Sequence, residues 1–208
     1  MTDPAEIVGR GYDVIADRYL EWSSAEDWPA RRTFLVHVLE ELADDADVLE
    51  LGCGAGVPVT KALSERHRVT AVDISGRQLE LARENAPAAT FVHGDMVSLD
   101  LPASSLDAVV AFHSVTHVPR ERHGGLFERI HGWLRPGGLF MASLGVGDEP
   151  SHTDEDWLGA PMFFSHYDAD TNRRLVRDAG FELAVDEIAA QLEHGRDCRF
   201  LWIVARKK

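Results

Sequence analysis

Val48-Leu49-Glu50-Leu51-Gly52-Cys53-Gly54-Ala55-Gly56 carries the strongest structural signal in this chain. A short apolar run that stops at closely spaced glycines reads as a buried strand turning sharply into a helix. In an open α/β sheet such a turn lies at the carboxyl end of the first strand, where backbone N–H groups and close-approach glycines receive ligands. A dinucleotide site wants a third glycine three residues after the second, the place held here by Val57, and an uncharged strand end. This chain has Gly56 instead and sets Glu50 just before the turn. A carboxylate there repels a diphosphate and attracts a ligand carrying positive charge in a partly desolvated cleft.

On either side of this turn, short apolar runs alternate with amphipathic stretches, the pattern of βα units around a mainly parallel sheet. Strands are expected at 47–51, 68–72, 90–93, 106–112, 138–144, about 181–191 and 199–205, with helices over 57–66, 76–85, 120–134 and 169–179. Asp168 or Asp170 suits the N-cap of the last helix and Gly180 its stop, while Pro136-Gly137-Gly138 is a turn feeding the fifth strand. The few residues around Gly195 predict an antiparallel hairpin at the sheet edge. Residues 4–43 show helical periodicity, through Ile7, Tyr12, Ile15 and Tyr19 and again through Phe34, Leu35, Val38, Leu39 and Leu42, with a break near Trp22 to Pro29. The stretch 145–162, rich in Gly, Pro, Asp and Glu but holding Trp157, reads as an irregular loop or lid. The expected organisation is one domain over 1–208, with a helical cap at 1–43 and a lid or acceptor loop at 145–168.

Composition narrows the classes of function. The 208 residues, 45% apolar, suffice for one sizeable core. A net charge of −14 opposes a nucleic-acid backbone unless a basic patch is concentrated somewhere. Arg31-Arg32 and Arg173-Arg174 fall in helical segments and read as solvated faces, and Arg206-Lys207-Lys208 reads as a solubilising tail. Cys53 and Cys198 are too few for a disulfide framework and lack metal-ligand spacing, which fits a reducing compartment. The N-terminal residues show no leader pattern, and no stretch approaches the roughly 20 apolar residues that span a bilayer. A soluble cytoplasmic protein with no membrane or nucleic-acid partner is expected, as a monomer or homodimer.

Further motifs stand at the other strand ends. Arg68-Val69-Thr70-Ala71-Val72 ends in Asp73, where an acid accepts bonds from both ribose hydroxyls, a feature that suits NAD equally well. His93-Gly94-Asp95-Met96 follows the third strand, Asp107-Ala108-Val109-Val110-Ala111-Phe112-His113 forms and ends the fourth, and Leu134-Arg135-Pro136-Gly137-Gly138 precedes the fifth. As a set these motifs resemble the class I S-adenosylmethionine-dependent methyltransferase family over about residues 8 to 205, and more narrowly its small bacterial members related to ubiquinone and menaquinone methyltransferases. The resemblance implies a Rossmann-like doubly wound sheet of seven strands in the order 3-2-1-4-5-7-6, the seventh antiparallel. It implies S-adenosylmethionine as cofactor, leaving as S-adenosylhomocysteine. Glu50, Gly52, Cys53 and Gly54 would line the methionine part, Asp73 and Ile74 the ribose and adenine, Asp95 and Met96 the adenine edge and face, and Phe112 the sulfonium side. Tyr12-Asp13-x-Ile15-Ala16-x-x-Tyr19 is similar to the family's cofactor-covering helix; on spacing alone Tyr12 and Tyr19 are equally core residues of one helical face.

The loop after the fourth strand faces the methyl group in that family, which makes His117 or His113 a candidate general base; packing alone accounts for either equally well. Their spacing of four is not a metal site, because Pro119 opposes a regular helix and no third ligand is evident. An acceptor pocket is expected from Trp157, Met162, Phe163, Phe164, His166 and Tyr167, an aromatic lining that favours a small, flat or partly apolar acceptor. The function expected is methyl transfer to a small molecule, on oxygen ahead of nitrogen or carbon. RNA or protein methylation, a non-catalytic binding module and a nicotinamide oxidoreductase are the alternatives. The acidic balance counts against the first and Glu50 against the last.

Overall fold

A computed structural model describes residues 3–26, 28–193 and 196–208. Two N-terminal helices, α1 (Pro4–Ala25) and α2 (Pro29–Glu41), precede β1 (Asp47–Leu51), α3 (Val59–Ser64), β2 (Arg68–Asp73), α4 (Gly76–Asn85), β3 (Thr90–His93) and β4 (Leu106–Ala111). They are followed by α5 (His123–Trp133), β5 (Leu134–Leu144), β6 (Glu149–Trp157), β7 (Ala160–His166), α6 (Ala169–Asp178), β8 (Phe181–Glu193) and β9 (Arg196–Lys207). Caps follow the local chemistry: Asp3 and Pro4 open α1, the Ser75 side chain accepts from the Gln78 N–H at the start of α4, and Asp168 accepts from the Thr171 N–H at the start of α6. Gly180, at φ +100°, ends the turn after α6.

The main sheet runs β3-β2-β1-β4-β5-β9-β8, parallel from β3 to β5, with β9 antiparallel to both its neighbours. This is the order expected, with β9 in the seventh-strand place. The turn near Gly195 lies outside the described residues. Apolar residues alternate to the two faces, so the sheet is buried on both. On one face Phe127, Ile130 and Trp133 of α5 and Val176 of α6 pack on Leu51, Val109 and Phe140. On the other, Phe34, Leu35 and Val38 of α2 pack with Leu63 and Leu79 on Val110, Met141 and Trp202.

Three expectations needed correction. The segment 145–162 is not an irregular loop: β6 and β7 form an antiparallel hairpin of its own. Leu158 and Gly159 make its turn with φ of 55° and 94°, and the exposed acids of β6 hide the alternation that β7 shows against α1. Pro136-Gly137-Gly138 lies inside β5 rather than before it, as an irregularity in the β4–β5 register with Gly137 at φ +81°. The helix expected over 120–134 begins at His123, after a separate 3₁₀ turn at Arg120–Arg122. No helix among the described residues is long and apolar enough to cross a membrane.

Candidate active site

The glycine turn is locked to its neighbours from both sides. Gly52 and Cys53 each donate their N–H to the Val72 carbonyl, at 2.8 and 3.0 Å, tying β1's end to that of β2. Gly52 sits at φ +76°, and a Cβ there would run into Ser114, whose hydroxyl donates to the Leu51 carbonyl at 2.7 Å. The loop after β4 is thereby held against the loop after β1. Asp73 accepts the Gly54 N–H at 2.8 Å on one carboxylate oxygen and the Ser75 N–H at 2.9 Å on the other, so it braces the turn as well as facing the cleft. Burial raises its pKa against those hydrogen bonds.

Glu50 is 5% exposed and accepts the Thr60 hydroxyl at 2.5 Å. Burial pushes its carboxyl up to about 8 against that hydrogen bond, and the charge of Asp73 adds to the rise. An acid in this state is poised to ionise when a cation arrives beside it.

Two clefts that share part of their lining lie over the carboxyl ends of the strands. The larger encloses about 810 Å³ of space, part of it open to solvent, and is lined by Tyr12, Tyr19, Gly52, Gly54, Asp73, Ile74, Asp95, Met96, Phe112, His113 and His117. The smaller, about 490 Å³, shares Tyr19, Gly52, Gly54, Phe112 and His113 with it and adds Glu50, Cys53 and Arg31. Every residue expected at the cofactor, and both histidines, therefore line one cleft or both. Asp95 also accepts the Val97 N–H at 3.0 Å, so it is cap and cleft residue together.

The expected acceptor residues are not among the lining. Met162 and Phe163 are buried with Val8 and Ile15 of α1; Trp157 stacks behind Tyr12 and Tyr19 at 5.8 Å from each; and Phe164 packs on His117 at 4.9 Å. His166 is bonded through Nδ1 to the Gly147 carbonyl at 2.8 Å, and Tyr167 lies 4.7 Å from the Arg120 guanidinium. The physical reason is the hairpin, which turns Trp157, Met162 and Phe163 onto α1 and Phe164 onto His117 as a buttress, while His166 is held by the loop after β5 and Tyr167, just past β7, by Arg120.

His117 shows what the buttress does. Its Nδ1 lies 2.8 Å from the Phe163 carbonyl and its Nε2 2.9 Å from the Tyr12 hydroxyl. A carbonyl only accepts, so Nδ1 carries the proton and the neutral ring's Nε2 accepts from Tyr12. Burial lowers His117 to about 4. His113 differs. It adopts φ +56°, its N–H is held by the Ser143 hydroxyl at 2.6 Å, and its ring nitrogens find no partner among the described residues. Its ring packs at 5.1 Å from Trp28, 4.7 Å from Phe200 and 5.2 Å from Trp202, and burial lowers it to about 3.

Sequence reasoning missed Arg31. It sits on α2 with its guanidinium 4.2 Å from the centre of the Trp28 ring and donates to the Ser23 carbonyl at 3.4 Å. The available signal was Trp28 three residues earlier, one helical turn away on the same face. Among the described residues no cluster of His, Cys, Asp and Glu is arranged to hold a metal ion.

With this geometry in place, similarity to known proteins is informative. Residues 48–138 match the family model described as a methyltransferase domain. A probable S-adenosylmethionine-dependent methyltransferase of Mycolicibacterium smegmatis is 28% identical over 144 residues, 69% of this chain and 55% of that protein. A trans-aconitate 2-methyltransferase of Rhodopseudomonas palustris is 33% identical over 141 residues, 66% of this chain and 52% of that protein. The chain spans about half the length of the curated relatives it matches. Among solved structures, Burkholderia thailandensis 1,6-didemethyltoxoflavin-N1-methyltransferase, solved with 1,6-didemethyltoxoflavin and S-adenosylhomocysteine, superposes with a TM-score of 0.75 at 23% identity, covering 100% of this chain and 92% of that one. Sheet order, glycine turn and matched segment together define a methyltransferase domain of the Rossmann-like kind. Over residues 48–138 the chain carries a methyltransferase domain, and it is similar to S-adenosylmethionine-dependent methyltransferases. The narrower likeness to quinone methyltransferases receives no support from these relatives.

Proposed function

We propose that this chain transfers a methyl group from S-adenosylmethionine to a small-molecule acceptor, at oxygen ahead of nitrogen or carbon. The observation that carries the reading is the pairing of Glu50 and Arg31 on the smaller cleft, which shares lining residues with a larger cleft that presents Asp73, Asp95 and Met96. An acid and a base facing one small space suit the ammonium and carboxylate of an amino acid. Glu50 is bonded to the Thr60 hydroxyl and, among the described residues, ion-paired to neither Arg31 nor any other cation, which suits a ligand that brings its own positive charge. Asp73 would take the ribose hydroxyls, and Asp95 and Met96 the adenine. Bound there, S-adenosylmethionine supplies a methyl group already activated on a sulfonium.

The residues of the chain then have positioning work to do. Tyr12 and Tyr19, packed edge to face with ring centres 5.3 Å apart, wall the larger cleft and keep water out. His117 takes the acceptor's proton at Nε2, directly or through the Tyr12 hydroxyl, with Phe163 holding its tautomer. A base lowered to about 4 is unprotonated at neutral pH yet weak, which favours phenols and enols over alcohols. Titration with S-adenosylmethionine, S-adenosylhomocysteine and NAD tests the reading. Saturable binding of both sulfur ligands is expected, and NAD binding in their absence would overturn it. Asp73→Asn should weaken the sulfur ligands by about tenfold or more; unchanged affinity removes Asp73 from the site.

A further inference from the structure

Asp13 lies in the stretch similar to a cofactor-covering helix, between two tyrosines that line the cleft, yet it does not line the cleft itself. The α1 helix presents two stripes. Ala5, Val8, Tyr12 and Tyr19 line the larger cleft. Gly9, Asp13 and Asp17, each about one turn after the last, meet the residues from Ile74 to Arg77. A Cβ on Gly9 would stand 3.3 Å from the Ile74 carbonyl oxygen, so the helix lies close against the residue after Asp73. Asp13 Oδ1 accepts the Ser75 hydroxyl at 2.7 Å and the Arg77 N–H at 3.1 Å. Asp17 takes the Arg77 guanidinium at 2.9 Å, in a pair open to solvent. A carboxylate only accepts, so the single Ser75 hydroxyl proton goes to Asp13, while the hydroxyl oxygen takes the Gln78 N–H at 3.1 Å. Ser75 is fully buried, and its own N–H donates to Asp73, whose other oxygen holds the Gly54 N–H. Bonded groups therefore run without a gap from α1 through Ser75 and Asp73 to the glycine turn.

We propose that Asp13 is a positioning residue for the cofactor: it clasps α1 to Ser75 and so couples closure of that helix over the cleft to the orientation of Asp73. This rests on the S-adenosylmethionine reading and deepens it. That reading has α1 cover the ligand; the clasp and its route to Asp73 come from the bonds themselves. The negative charge of Asp13 sits at the N-terminal end of α4, where it is favoured, and it satisfies an amide of the first helical turn that has no acceptor inside the helix. Without it, the buried Ser75 hydroxyl and the Arg77 N–H lose their acceptor together. The fraction of molecules with both the cover and Asp73 in place then falls, and apparent affinity falls with that fraction. The exposed Asp17–Arg77 pair contributes little, because solvent screens it.

The test follows S-adenosylhomocysteine binding to the full chain. Asp13→Ala should weaken it by about tenfold, and Asp13→Asn, whose amide oxygen accepts the same bonds, should recover to within about threefold of the unaltered chain. Asp17→Asn, which breaks only the exposed pair, should stay within about twofold. In an Asp73→Asn background Asp13→Ala should weaken binding by no more than about threefold, because the group it positions is already impaired. Unchanged affinity in Asp13→Ala, an Asp13→Asn protein as weak as Asp13→Ala, an equal loss in Asp17→Asn, or losses that multiply in the double variant would each overturn the proposal. Hydrogen exchange on the unaltered chain decides the matter where a variant fails to fold. Saturating S-adenosylhomocysteine should slow exchange of the Arg77 amide, whose acceptor is Asp13, together with the amides of α1 around Asp13. An Arg77 amide that exchanges at the same rate with and without ligand would overturn it too. An unaltered chain that binds no S-adenosylhomocysteine brings down the underlying methyltransferase reading instead, so the two failures are distinguishable.

Discussion

Glu50 concentrates the electrostatic logic of the site. Its carboxyl is held up to about 8 before a ligand arrives, and on the proposed reading the ammonium of S-adenosylmethionine needs it ionised, so binding below that pH would release a proton. The affinity of the unaltered chain should therefore climb with pH up to about 8 and then level, as calorimetry in buffers of differing ionisation enthalpy would register. Glu50→Gln keeps an acceptor for the Thr60 hydroxyl but removes the charge. It should weaken S-adenosylmethionine about ten- to a hundredfold and abolish the pH slope. At His117 the expectation is a flat rate across neutral pH, falling only as the ring titrates near 4. A descending limb near 6.5 in kcat would instead mark a histidine with its ordinary pKa. Glu50, Asp73 and Asp95 were legible in the sequence because each sits at the end of its own short apolar run, so position along the chain fixed position in space. Arg31 was not, since its role depends on how α2 rotates against Trp28 and the neighbouring cleft.

The helices and strands were legible in proportion to how local their causes are. The βα units were read to within a few residues because a period in a short window suffices. The β6–β7 hairpin was missed because its stabilising partner is α1, more than a hundred residues earlier in the chain. The join between them is tight. A Cβ on Gly11 would stand 2.6 Å from the Pro161 carbonyl oxygen and 2.9 Å from Met162 Cε. Gly11→Ala should therefore lift α1 from β7 and cost about 1–3 kcal/mol, measurable by urea unfolding. Because Tyr12 is the next residue, the same variant should loosen the bond to His117 and expose α1 to limited proteolysis. An unchanged unfolding midpoint would show that the helix shifts along the hairpin at no cost.

Charge buried at the site shapes how the whole protein responds to pH. His113, His117 and His123 are lowered from 6.5 to about 3, 4 and 4, so the stability they contribute is full above 6.5 and lost as pH falls toward those values. Glu50 runs the other way: its contribution is full below 4.5 and lost as pH rises to about 8, and Asp73 is shifted in the same sense. Three histidines outweigh one glutamate on the acid side, and between 6.5 and 8 the acids act without them. The melting temperature of the ligand-free chain should therefore peak near pH 6.5, with the alkaline slope flattened in Glu50→Gln. A maximum at pH 8 or above would contradict the burial of Glu50.

The sheet order also dictates a sequence of events in folding. β9 follows all the other strands in the chain, yet it lies between β5 and β8 and hydrogen-bonds to both. Until it arrives, β5 presents an open edge of buried-type residues, a template for pairing with other chains. The same strand brings Phe200 and Trp202 against His113. Closure of that edge and completion of the aromatic packing around His113 are thus one event.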